Sequence, residues 1–105
     1  MIKKLEDIIQ LINNEEEVIL LFESRWCPIC HLQKNILYEY FEPLKIKFYE
    51  VLVDEDENIR SHFKIHSTPV IQIYRNNKLK ISLIGNHELE EIASIYPKEE
   101  YLEDN

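Results

Sequence analysis

Glycine occurs once in 105 residues. Every other turn that needs a positive φ must therefore use asparagine or a strained residue. Cysteine occurs twice, too seldom for the multi-disulfide framework that holds a small secreted domain together. Positive charge is also short: 12 Lys and Arg stand against 20 Asp and Glu, a net charge of −8. That balance argues against a protein that tracks nucleic-acid phosphates and against a polybasic membrane binder. Long apolar runs are missing too. The longest, Val18 to Phe22, is far short of a membrane span. Glu6 and Asp7 interrupt the N-terminal stretch before it could serve as a signal-peptide core. The expectation is a soluble, unprocessed chain of the cytoplasm, with neither nucleic acid nor membrane as partner.

What is present is ordinary for a globular protein: 45% hydrophobic and 30% charged residues. The length suits one compact domain, 1–105, with an acidic tail over 97–105 that frays. Ile2, Leu5, Ile8, Ile9 and Ile12 recur at helical spacing, which predicts an amphipathic helix over 2–12. Asn13, Asn14 and the acidic run 15–17 read as its solvated exit. Val18 to Phe22 reads as a strand buried on both faces. From Pro28 to Pro43 the helical period returns, with Ile29, Leu32, Ile36, Leu37, Tyr40 and Phe41 on one face. Gln33, Lys34, Asn35, Glu39 and Glu42 form the other. Residues 45–53 alternate as a second strand, 54–64 form a short helix, and 69–75 and 78–84 form two strands joined at Asn76-Asn77. Asparagine tolerates the left-handed conformation of a tight hairpin. The last helix runs over 87–96, with Leu89, Ile92, Ala93 and Tyr96 inward. The order α-β-α-β-α-β-β-α implies an α/β fold whose mixed four-stranded sheet carries helices on both faces.

The strongest chemical signal is Cys27-Pro28-Ile29-Cys30, placed between a strand and a helix. Cys27 falls at the N-cap and Pro28 in the first turn, where its missing N–H is no loss. Free backbone N–H groups and the helix dipole there stabilise a thiolate, the nucleophilic form of the residue. Cys30, one turn in, lies within reach of a mixed disulfide on Cys27. This assigns Cys27 as the attacking thiol and Cys30 as the resolving thiol.

Trp26-Cys27-Pro28-Ile29-Cys30 resembles the Trp-Cys-Gly-Pro-Cys of the thioredoxin family. Val51-Leu52-Val53-Asp54 matches the strand after the active-site helix, Thr68-Pro69 the cis-proline loop, and Gly85 a glycine flanking the substrate groove. The similarity covers about residues 2–96. It implies a thioredoxin-like fold and exchange of the Cys27–Cys30 dithiol with protein disulfides, with no metal or organic cofactor. A thioredoxin reductase or low-molecular-weight thiols would recycle the pair. It implies that Trp26 shields and orients the dithiol, and that Pro28, Ile29, Thr68, Pro69 and Gly85 meet the substrate. The Thr68 backbone would pair with an extended substrate segment.

The sequence departs from that pattern in three places. Pro28-Ile29 replaces Gly-Pro, so a strongly reducing potential is not implied. Leu21 stands where the family has a buried aspartate, and Glu50 where that aspartate has a lysine partner. Proton transfer at Cys30 then falls to water or to another group, with Glu50 a candidate. The family's first strand has no counterpart, because the chain opens on a helix. His31 shares a helix face with Cys27, but the helix N-terminus disfavours imidazolium, so it reads as a solvent-facing residue.

Other chemistries fit the same residues. Cys27-Pro28-Ile29-Cys30-His31 also spells a c-type haem attachment motif, which needs an exported chain and a second axial ligand. Cys27, Cys30, His31 and His66 number enough for a zinc site, though zinc sites usually bring a second closely spaced ligand pair. His62 and His87 read as surface residues. A third alternative keeps the fold as a protein-binding module whose cysteines are structural.

Overall fold

The computed structural model describes residues 1–97. The elements are α1 (Leu5–Asn14), β1 (Glu17–Glu23), α2 (Pro28–Phe41), β2 (Tyr49–Leu52), α3 (Glu57–Phe63), β3 (Val70–Arg75), β4 (Lys78–Ile84) and α4 (Leu89–Ile95). Four strands form one sheet in the order β2-β1-β3-β4. β1 pairs in parallel with β2 and antiparallel with β3, and β3 pairs antiparallel with β4. The expected architecture and element order are those found. The acidic tail lies, Pro97 apart, outside the described residues. No helix among the described residues is long and apolar enough to cross a membrane.

Alternation along β1 divides the core. Val18, Leu20 and Phe22 pack with Ile8 and Ile12 of α1 and Ile59 and Phe63 of α3. Ile19 and Leu21 pack on the opposite face with Leu37, Tyr40 and Phe41 of α2 and Ile92 of α4. Being central and covered on both faces, β1 has no solvent side, which is why its sequence is a continuous apolar run.

Four boundaries differ from the sequence reading. The first helix begins at Leu5, not residue 2, because Ile2 pairs with the sheet. It forms a parallel bridge with Val51, its N–H donating to the Glu50 carbonyl at 2.8 Å and its carbonyl accepting from Leu52 at 2.9 Å. That single bridge stands where the sequence shows no strand ahead of α1. The second strand is shorter than 45–53, because the N–H groups of Leu44, Lys45 and Ile46 turn back onto carbonyls of Phe41 and Glu42 at the end of α2. The third helix begins at Glu57, after its N-cap Asp56. Asp56 caps twice: Oδ1 accepts from Asn58 N–H and Oδ2 from Leu5 N–H, the first residue of α1. Those donors, Leu5 first, hold the Asp56 carboxyl below its usual range. The fourth helix is Leu89–Ile95 rather than 87–96.

The scarcity of glycine is met as expected. Asn76 and Asn77 both take positive φ, 51° and 67°, in the β3–β4 turn. Lys45 and Lys64, at φ 58° and 57°, take the left-handed conformation after α2 and α3.

Candidate active site

The site forms where β1 ends and α2 begins. After Glu23 the chain turns through Ser24, Arg25 and Trp26. Asp54, just beyond β2, fixes that turn by accepting from Arg25 N–H at 2.6 Å, and the Arg25 side chain pairs with Glu55. Cys27 is the N-cap of α2 and Pro28 opens the helix. Cys30 N–H donates to Cys27 Sγ at 3.2 Å. The cap is therefore sulfur, and this first-turn N–H is shared between the sulfur and the Cys27 carbonyl, at 3.1 Å. Cys27 and Cys30 are joined as a disulfide with Cα atoms 5.2 Å apart. Cys27 is half-buried, whereas Cys30 is only 1% exposed.

The Thr68–Pro69 loop packs against this pair. The Thr68–Pro69 peptide bond is cis. The Thr68 hydroxyl donates to Cys27 Sγ at 3.6 Å, and the Thr68 carbonyl lies 3.8 Å from the same sulfur. Gly85, at φ 84°, donates its N–H to the Pro69 carbonyl at 2.9 Å. Cys27, Cys30, Thr68, Pro69 and Gly85 thus converge. Trp26, Pro28 and Ile29 lie on the exposed rim, Trp26 at 93% exposure. The indole is an open apolar surface there and not a cover over the sulfurs.

The apolar face expected of α2 is buried over its second half, where Leu37, Tyr40 and Phe41 enter the core and Ile36 packs against it, but not at its active-site end. Ile29 and Leu32 are exposed, while Cys30, Gln33, Leu37, Tyr40 and Phe41 are buried. Gln33, expected on the polar face, is fully buried and makes two bonds to the chain after β4. Its Nε2 donates to the His87 carbonyl at 3.1 Å and its Oε1 accepts from His87 N–H at 2.6 Å. This amide ties the segment following Gly85 to the active-site helix. Replacing Gln33 with alanine leaves two main-chain groups of His87 without their partner. Unfolding in urea is expected to show a loss of about 2–3 kcal/mol with an unchanged denaturant slope. A loss under 0.5 kcal/mol would show the clamp to be dispensable.

The sequence reading missed Glu23. Residues 21 and 23 of a strand share a face, so the carboxylate absent at the apolar, fully buried Leu21 recurs one strand step nearer the dithiol. Glu23 is 5% exposed, and its Oε2 has no hydrogen-bond partner. Lys34 Nζ, one turn beyond Cys30 on α2, lies 3.7 Å from Glu23 and 3.1 Å from Glu50. Tyr38 OH donates to Glu50 at 3.0 Å. Burial first, and the Glu50 carboxylate second, push the Glu23 carboxyl up to about 7. For Glu50, burial works in the raising direction, but Glu23, Lys34 and Tyr38 outweigh it and hold the group below its usual range. Glu50 stays ionised, and the proton-binding group of this cluster near neutrality is Glu23. The available signal was a carboxylate ending a wholly buried strand.

The zinc alternative finds no ligand set. Among the described residues no three His, Cys, Asp or Glu side chains gather as a metal site requires. His66 lies exposed between α3 and β3. His87 is half-buried rather than free at the surface: Nδ1 meets Glu91 at 2.6 Å and Nε2 meets the Ile84 carbonyl at 2.9 Å.

Comparison with known proteins agrees with this geometry. The family model described as Thioredoxin matches residues 3–98. A thioredoxin of Rickettsia felis is 30% identical over 78 residues, covering 72% of this chain and 74% of its own length. A thioredoxin of Mycoplasmoides gallisepticum is 29% identical over 87 residues, covering 79% and 87%. Among solved structures, oxidized mitochondrial thioredoxin 3 from Saccharomyces cerevisiae superposes with a TM-score of 0.77 at 19% identity, covering 90% of this chain and 92% of that one. Thioredoxin f2 of Chlamydomonas reinhardtii gives 0.79 at 15% identity, covering 96% and 97%. At such identities the structures speak for the fold alone.

Proposed function

The chain belongs to the thioredoxin family, and from that premise we propose that it reduces protein disulfides, with Cys27 as the attacking thiol and Cys30 as the resolving thiol. Its class of activity, thiol–disulfide exchange, follows from family membership together with the bonded Cys27–Cys30 pair.

The observation that carries the assignment of roles is the asymmetry of the two sulfurs. Cys27 is accessible and accepts from a helix N–H, whereas Cys30 is buried behind it. An incoming disulfide meets Cys27 first. The Cys27 thiolate forms a bond to one substrate sulfur, the substrate S–S bond breaks, and the departing thiolate takes a proton from water. Cys30, on losing its proton, attacks Cys27 Sγ, closes the Cys27–Cys30 bond and releases the second substrate thiol. Two electrons pass from the dithiol to the substrate. Thr68, Pro69 and Gly85 would receive an extended substrate segment beside the sulfurs, with Trp26, Pro28 and Ile29 along the rim. The oxidised pair then needs electrons from outside, from a thioredoxin reductase or from low-molecular-weight thiols, in a cytoplasmic setting.

Insulin reduction by dithiothreitol tests this reading. The protein is expected to accelerate precipitation of the freed insulin chain well above dithiothreitol alone. No acceleration would overturn it. The direction is tested by titrating the Cys27/Cys30 couple against a thiol buffer. A midpoint near about −270 mV marks a reductase, and one near about −120 mV an oxidant, which would reverse the proposed flux.

A further inference from the structure

The sulfur of Cys27 has a hydroxyl neighbour that is itself held by another hydroxyl. Ser24 Oγ lies 2.9 Å from Thr68 Oγ1, and Thr68 Oγ1 lies 3.6 Å from Cys27 Sγ. Both Ser24 and Thr68 are half-buried. Ser24 follows the last residue of β1, and Thr68 directly precedes Pro69, so the two ends of the site meet at this contact. A threonine hydroxyl carries one proton. It can be donated to Ser24 or to the sulfur, not to both. If Ser24 donates to Thr68 Oγ1, the Thr68 proton is left for Cys27.

We propose that Ser24 is a positioning residue, which by donating to Thr68 Oγ1 aims the Thr68 hydroxyl at Cys27 Sγ and so stabilises the attacking thiolate. The anion then has two donors, Thr68 O–H and Cys30 N–H at 3.2 Å. Hydrogen bonds to a charged acceptor are the stronger kind. The Thr68 carbonyl, 3.8 Å from Sγ, accepts from the protonated thiol, so one residue serves both protonation states and the hydroxyl biases the sulfur toward the anion. During attack the negative charge leaves Cys27 for the departing substrate sulfur, and the bond from Thr68 weakens as the new S–S bond forms. No proton is transferred along the relay. This inference rests on Cys27 being the attacking thiol.

The test is the pH dependence of Cys27 alkylation by iodoacetamide in the reduced full-length protein. Thr68→Val removes the donor and Ser24→Ala removes the group that aims it, while Ser24→Thr retains a hydroxyl. The charged groups around Cys27 stay in place in all three: His31 on α2, Arg25 with Glu55, Asp54, and the Glu23–Lys34–Glu50 cluster. The midpoint of Cys27 alkylation is expected to rise by about one pH unit in Thr68→Val. It should rise in the same direction in Ser24→Ala and return toward wild type in Ser24→Thr. A rise in Thr68→Val without one in Ser24→Ala removes Ser24 from the relay and overturns the proposal. Unchanged midpoints in both overturn it as well, and persisting insulin reduction would then leave the roles of Cys27 and Cys30 standing. Wild-type protein whose Cys27 resists alkylation at every pH would overturn both.

Discussion

Cys27→Ser is expected to lower insulin reduction by at least about three orders of magnitude, to the rate without protein, because removing a nucleophile disables the remaining machinery with it. Cys30→Ala is expected to fail differently. The accessible sulfur survives and still attacks, but the buried thiol that would release the substrate is gone, so a covalent adduct between Cys27 and a substrate cysteine accumulates. Mass spectrometry after incubation with a disulfide substrate reads the difference, and dithiothreitol should dissolve the adduct. The expectation follows from position: Cys30 is 1% exposed and cannot meet a foreign disulfide, while Cys27 caps the helix at the surface. Adduct formation in Cys27→Ser, with none in Cys30→Ala, would exchange the two roles. Adducts in neither would remove exchange chemistry from the pair.

Much of the fold was legible because the core strands carry signals that need no distant information. β1 is a continuous apolar run since both of its faces are covered, and Asn76-Asn77 marks the β3–β4 hairpin because both residues take positive φ. What misled was apolar residues in the right phase but in the wrong place. Ile2 lies three residues before Leu5 and extends the helical pattern, yet its main-chain groups bond to Glu50 and Leu52. Ile29 and Leu32 have helical spacing with Ile36, yet both point to solvent at the active-site end of α2. The true buried face is set by Cys30, Gln33, Leu37, Tyr40 and Phe41, and its polar member is tolerated only because His87 satisfies both ends of the amide.

The site divides in the same manner. Cys27, Cys30, Thr68, Pro69 and Gly85 could be named from local motifs and a family resemblance. Ser24 and Glu23 could not, since each acquires meaning from a partner far along the chain: Thr68 for the first, and Lys34 with Glu50 for the second. A serine in a turn and a glutamate after a strand are unremarkable until the fold brings those partners to them.

Glu23 gives the largest pH effect expected on stability. Its carboxyl titrates at about 7 in the folded chain against the ordinary 4.5. The folded state therefore binds a proton more tightly than the unfolded one. Stability from this group is fully present below pH 4.5 and is lost as pH rises through about 7. Glu50, shifted the opposite way, acts in a different window, losing its contribution only as pH falls below the ordinary glutamate range. Lys34 and Tyr38, the other ionisable groups of the cluster, are raised above ordinary values that already lie well into the alkaline range, and both keep their charge states between pH 5 and 8. Glu23→Gln retains shape and amide-like bonding but cannot ionise. The variant is expected to gain on wild type by about 2–3 kcal/mol between pH 5 and pH 8. Urea unfolding of both proteins at the two pH values measures that difference, and taking the difference cancels the titration of the histidines common to both. A separation that stays constant across the range would mean that Glu23 is ionised throughout, with Lys34 sufficient to hold its charge inside the fold.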